Sequence, residues 1–337
     1  MRRGEKKRRG FLGWLRTLLT LVLILALAAA VLMLIPLTER EDKSVVEGSA
    51  DWMARLDDDL PLNRINLPGT HDSATQYSQI AFFTKCQAKS IAGQLEAGFR
   101  YLDIRLAVAD NRLKLMHGFA ECKTGPGFKS ETLYLDRVLE ACYSFLNEHP
   151  TETIVFAVKQ EHGSEPVAAF QALLARQTAM QPKRWLLTDS IPTLGECRGK
   201  LVLMRRYEDA GDLGPMAGLP FLWEDQKGAK DTALNTVREP NGSYDLWVQD
   251  RFEYKVEDKW SAFQAGMLQN GAGEGDIVLS FLSTKGSSPY GHPYHYARSL
   301  NKLLMGTLLR AGDFYGWVAV DFASAPLAQK IYATNFA

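Results

Sequence analysis

The chain has 337 residues with 39 basic and 39 acidic side chains, so it is formally neutral, and 46% of it is hydrophobic. Seven of the basic residues lie in the first 16 positions against a single acid, Glu5, so everything after residue 37 carries a net charge of −6, which argues against a nucleic-acid partner. Four cysteines with no CxxC pair argue against a structural zinc site.

The N-terminus reads as a basic flank over 1–16, a charge-free run over 17–37 and a charged, small-residue linker over 38–50. Twenty-one uncharged residues at helical rise are long enough to cross a bilayer. Ala26, Ala28 and Ala30, the small residues a signal peptidase favours, lie inside that run rather than after it, so the expectation is an uncleaved signal-anchor. The basic flank then stays cytoplasmic and the body faces the extracytoplasmic side. Secretion after cleavage is the alternative.

From Asp51 onward strand-like and helical patterns alternate. Strands are expected at 64–67, 101–108, 113–116, 153–159, 200–205, 246–249, 277–281 and 316–320. Helices are expected near 88–98, 133–148, 164–178, 258–270, 294–311 and 325–333. Such alternation implies a parallel sheet, and about 300 residues suit one α/β barrel, here 51–337. The link after 106 is too short for a crossover helix, so the step from 101–108 to 113–116 must be a hairpin or bend, and the barrel is a distorted one.

Three short segments concentrate the chemistry. In Tyr101–Leu106 the strand period of two sets Asp103 and Arg105 on one face and Leu102, Ile104 and Leu106 on the other. That pattern serves either a catalytic end or a structural ion pair. His117 ends Leu113-Lys-Leu-Met and precedes Gly118; Leu67-Pro-Gly-Thr turns into His71-Asp72-Ser73, which reads either as a presented His/Asp pair or as a helix cap.

His71, Arg105 and His117, spaced 34 and then 12 residues apart, resemble bacterial phosphatidylinositol-specific phospholipase C. The likeness runs on through Phe145–Val155 to Lys159, Arg198–Tyr207, Val248-Gln-Asp250 and Gly316–Asp321. The resemblance implies a distorted TIM-type (β/α) barrel that cleaves an inositol phospholipid. In that scheme His71 is the general base, supported by Asp321, and His117 is the general acid, supported by Asp72. Arg105 holds the phosphate, with Asp103 behind it. Lys159, Arg206 and Asp250 bind the inositol, with Glu161 a weaker candidate. Where the family stacks a tyrosine on the ring this chain has Phe252, with Tyr254 two residues on, and the choice between them stays open.

The same resemblance implies that no metal or other cofactor is required, because Arg105 occupies the position where calcium acts in eukaryotic relatives and a guanidinium cannot ligate a cation. Expected partners are an inositol phospholipid and the membrane, the latter through the anchor and an aromatic rim of Phe82, Phe83, Tyr290, Tyr294 and Tyr296. His292 and His295 form only a bare HxxH. Cys86 and Cys122 follow the two histidines closely, which raises a disulfide between them, the alternative being four buried thiols; Cys142 and Cys197 are left open. Two rival readings are a metal-dependent glycerophosphodiester phosphodiesterase and a non-catalytic inositol-lipid-binding barrel.

Overall fold

The computed structural model describes residues 2–34, 41–127, 129–161, 163, 165–211, 218–226, 235–238, 244–268, 271–287 and 291–336. Helix α1 (Arg2–Leu34) comes first, and within it Gly10–Val31 is apolar and long enough to be a candidate membrane span. The strands are β1 (Leu67–Thr70), β2 (Tyr101–Ala109), β3 (Arg112–His117), β4 (Ala120–Glu121), β5 (Ile154–Gln160), β6 (Trp185–Leu186), β7 (Leu201–Arg206), β8 (Leu219–Pro220), β9 (Asn235–Arg238), β10 (Asp245–Gln249), β11 (Ile277–Phe281) and β12 (Trp317–Val320). The remaining helices are α2 (Ala81–Thr84), α3 (Ile91–Glu96), α4 (Leu135–Glu148), α5 (Val167–Met180), α6 (Leu194–Cys197), α7 (Val256–Leu268), α8 (Pro293–Gly306) and α9 (Ala325–Tyr332).

The strands form one sheet in the order β6-β7-β5-β2-β1-β12-β11-β10-β9, parallel from β6 to β10, with β8 parallel to β7. Among the described residues it stays open between the β8 and β9 sides, so the fold is a parallel half-barrel rather than a closed eightfold ring. The anticipated hairpin is present: β2 and β3 pair antiparallel across Asp110 and Asn111, both left-handed at φ 51° and 54°. Two such residues make the primed turn that matches strand twist, and Asp and Asn tolerate that region better than most.

Strand periodicity sorts the core into two layers. Tyr101, Val155, Ala157, Val202 and Met204 point inward with Phe281 and Trp317. Leu102, Ile104, Leu106, Ile154, Phe156, Val158, Leu201 and Leu203 point outward against Leu139, Cys142 and Phe145 of α4 and Phe170 and Leu174 of α5. Each such buried aliphatic or aromatic side chain stabilises the fold by about 1.5–3 kcal/mol.

The first strand lies three residues later than its hydrophobic run suggests. Leu62–Arg64 is a 3₁₀ turn, because Asn63 donates to the carbonyls of Glu274 and Asp276 while Asn66 takes the amides of Tyr315 and Gly316. The expected helix at 88–98 is confined to α3, with Ser90 capping the Gly93 amide.

Candidate active site

The C-terminal ends of the strands converge on a cavity of about 280 Å³. Its lining includes His71, Arg105, His117, Lys159, Arg206, Asp250, Phe252 and Asp321, drawn from seven strands and the turns that follow them. That is the end where parallel barrels place their chemistry.

Local structure puts His71 there. Gly69 lets β1 lie close to β2, since a Cβ at Gly69 would sit 2.6 Å from Tyr101 Cδ1. The His71 amide closes on the Val320 carbonyl at 3.0 Å, and the chain then turns sharply through Asp72 at φ 44°. Asp103 secures that turn, its carboxylate accepting the Asp72 amide at 3.2 Å and its carbonyl the Ser73 amide at 3.0 Å.

The partners of His71 define its tautomer. Nε2 lies 2.9 Å from Arg105 Nη2, and a guanidinium can only donate, so Nε2 carries the lone pair. Nδ1 therefore carries the hydrogen and donates to Asp321 Oδ1 at 2.8 Å. Burial, and after it the Arg105 charge, holds His71 well below the usual 6.5. The ring is a neutral base with its free electron pair aimed at the cation.

His117 is held in the opposite sense. Nδ1 donates to the Thr84 carbonyl at 2.8 Å, which leaves Nε2 facing Asp72 Oδ2 at 3.2 Å. Burial, opposed by Arg105 and His117, pushes Asp72 up to about 6. The two rings meet edge-on, 6.1 Å between centroids.

Arg105 occupies the centre, with Nη1 3.1 Å from Asp72 and Nη2 3.0 Å from Asp103. Burial works to raise Asp103, and Arg105, His71 and Arg206 together outweigh it, so that carboxylate stays ionised well below its ordinary range. Asp321 is pushed the other way, first by burial and then by the charge on Asp72. Glu161 bridges the next wall, 3.1 Å from Lys159 and accepting the Gly118 amide at 3.1 Å.

On the far wall Arg206 points inward, 3.4 Å from Asp250 and 3.4 Å above the Trp223 ring, while Arg205 turns away to the Gly218 carbonyl. Trp223 Nε1 also donates to Asp250, at 3.1 Å. Phe252 lines the cavity; Tyr254 is buried and is not among its lining residues.

The anticipated Cys86–Cys122 disulfide is not formed, and all four cysteines are free and buried. The two lie on different sides of the sheet: Cys86 lines the cavity, its sulfur 3.8 Å from His117 Nδ1, whereas Cys122 packs in the outer apolar layer.

Around the mouth, Phe82 and Phe83 are half-buried and Tyr294 is 37% exposed, while Tyr296 packs against the inner core. Tyr290 lies outside the described residues. His292 caps α8 through the Tyr294 amide, a structural task. Sequence reasoning missed Thr84, Cys86, Asp225, Lys285 and Phe119. Thr84 acts through its carbonyl, which leaves no signature, but Phe119, 66% exposed, directly follows His117-Gly118 and was legible as a rim aromatic.

The parallel half-barrel with its charged cavity at the strand ends matches the fold of phosphatidylinositol-specific phospholipase C. Residues 61–207 match the family model for the X domain of phosphatidylinositol-specific phospholipase C, and this chain carries a domain of that family. It is 28% identical over 298 residues to the 1-phosphatidylinositol phosphodiesterase of Staphylococcus aureus strain Newman, spanning 83% of this chain and 90% of that protein. Against the 1-phosphatidylinositol phosphodiesterase of Listeria monocytogenes it is 32% identical over 162 residues, 45% of this chain and 47% of that one. In fold it resembles the crystal structure of a pentafluoro-Phe-containing phosphatidylinositol-specific phospholipase C from Staphylococcus aureus, with TM-score 0.67 and 24% identity over 86% of this chain and 98% of that one.

Proposed function

We propose that the chain is a metal-independent phosphodiesterase that cleaves phosphatidylinositol, or a glycosylated inositol lipid, to inositol 1,2-cyclic phosphate and diacylglycerol. The observation that carries this reading is the opposite wiring of two histidines across one arginine: His71 keeps a lone pair on Nε2 and donates from Nδ1 to Asp321, whereas His117 donates from Nδ1 to a main-chain carbonyl and sets Nε2 3.2 Å from Asp72. That is the arrangement general base and general acid catalysis requires.

His71 Nε2 takes the proton of the inositol 2-hydroxyl, whose oxygen forms the new bond to phosphorus. The bond to the diacylglycerol oxygen breaks, and that oxygen receives the proton from His117. Arg105 moves from His71 to the non-bridging oxygens, where a preorganised cation stabilises the developing charge. Lys159, Arg206, Asp250 and Glu161 bind the ring hydroxyls and Phe252 covers one face. Asp72 and Asp103 hold Arg105 and supply the buried counter-charge that a metal would otherwise compete for.

The same reading makes α1 a signal-anchor, residues 1–16 its cytoplasmic flank and 51–337 an extracytoplasmic catalytic barrel. Full-length protein with phosphatidylinositol micelles in excess EDTA, followed by phosphorus NMR, tests the chemistry: the cyclic phosphate signal is expected. Product that appears only after calcium or magnesium is restored would overturn metal independence, and no product in either condition would favour a binding role.

A further inference from the structure

Residues 38–50 read in sequence as a free tether, yet from Glu41 onward the chain is seated on the barrel. Lys89, only 6% exposed, donates from Nζ to the Asp42 carbonyl and lies 3.7 Å from the Glu41 carboxylate. Val46 packs against the inner core, and the Ser49 and Ala50 carbonyls accept hydrogen bonds from Arg100, at the opposite end of β2 from the cavity. The segment therefore descends the wall of the barrel, with its N-terminal end up beside Lys89 and its C-terminal end at the base.

Lys89 belongs to the strap that builds the mouth. That strap begins with α2, gives the Thr84 carbonyl to His117, sets the Cys86 sulfur 3.8 Å from His117 Nδ1, and passes Gln87 Nε2 to the His71 carbonyl at 2.9 Å. α1 comes within 8 Å of α2, Cα to Cα. Only residues 35–40 separate Leu34 from Glu41, which even fully extended reach no more than about 25 Å. The apolar helix is thus delivered at the end of the barrel that carries Phe82, Phe83, Phe119 and Tyr294, not at the base.

We propose that the enzyme acts in cis: it draws inositol phospholipid from the membrane that holds its own α1, because the pinned linker turns the mouth toward that bilayer. The inference rests on the phosphodiesterase and anchor readings above. A barrel anchored from its base would present its mouth to other surfaces; one anchored beside its mouth, on so short a connection, meets its own leaflet at a high effective concentration.

The test reconstitutes the full chain in vesicles holding one isotopically labelled phosphatidylinositol and mixes them with protein-free acceptor vesicles holding a second label, at equal lipid. Cleavage of the host label at least about tenfold faster than the acceptor label, with a host rate unchanged on dilution, is the expected result. Equal rates would overturn the proposal. Inserting 40 Gly/Ser residues after position 40, with an r.m.s. span of about 35 Å, should raise acceptor cleavage several-fold. K89E, which unseats the linker without touching the cavity, should do the same while turnover of a soluble short-chain phosphatidylinositol stays unchanged. If neither variant shifts the ratio, the pinned linker is not its cause and the proposal falls. Failure on the short-chain substrate would instead sink the phosphodiesterase reading, and failure of the protein to float with vesicles would sink the anchor.

Discussion

Strand β2 enters the barrel behind one buried arginine and carries another near its far end, and the two environments differ in completeness. Arg100, fully buried just before the strand, pairs with Glu152 at 2.8 Å and donates to the carbonyls of Leu95, Phe99, Ser49 and Ala50, with the Phe145 ring 4.6 Å away. Arg105, five residues on, faces three carboxylates and a histidine, opens onto the cavity, and has beside it Oδ1 atoms of Asp72 and Asp103 without a hydrogen-bond partner. A saturated cation seals the base; an incompletely satisfied cluster retains capacity for a ligand. The same guanidinium, at two positions five residues apart in the chain, thus serves stability at one end and the candidate site at the other.

The sharpest way to break that comparison is at the histidines. His71→Ala and His117→Ala should each lower kcat by about 10²–10⁴ or more with the melting transition preserved, and near-normal turnover in both would end the acid–base assignment. Arg100→Met, which leaves Glu152 buried and unpaired, should cost about 3–5 kcal/mol in denaturant unfolding while any folded fraction keeps its specific activity. Arg105→Gln should reverse that pattern, losing about 10²–10³ in kcat with little change in the unfolding midpoint. If the two arginine variants behave alike, the ends are not functionally distinct.

A finer test is the pH profile. The base works unprotonated, and burial and Arg105 lower the His71 pKa, so the acidic limb of kcat/KM should lie below pH 6.5. In Arg105→Gln the second of those causes is removed, so the limb should move upward; a limb that stays in place would mean burial alone sets it. Cys86→Ser should be the mildest change, a few-fold in kcat/KM, since the side chain lines the cavity and stays close in size, and because all four cysteines are free the wild-type protein should be insensitive to reductant.

Much was legible without coordinates because it depends on local order. The alternation in Tyr101–Leu106 set Asp103 and Arg105 on the inner face, and the short Asp110-Asn111 link excluded a crossover; both follow from backbone geometry that the sequence carries by itself. Of the two adjacent arginines, Arg206 lies against Asp250 and Arg205 on a loop carbonyl, opposite faces of one strand as their adjacency requires. The first strand was displaced because Asn63 and Asn66 bind backbone from the far end of the chain, a long-range competition that no window of residues displays. The separation of Cys86 from Cys122 had the same origin: nearness in sequence to two histidines says nothing about which side of a sheet each sulfur takes.

The sequence by itself determined the alternating elements, the inner and outer faces of the strands, the apolar N-terminal run and the short roll of ionisable residues at strand ends. Only the tertiary structure decided how those residues are wired. His71 acquires its tautomer from Arg105 and Asp321, 216 residues apart in the chain, and His117 from a main-chain carbonyl on the rim. Protonation state depends on burial and on neighbours brought together by folding, so the order of residues can nominate a base and an acid, but their hydrogen bonds assign the proton.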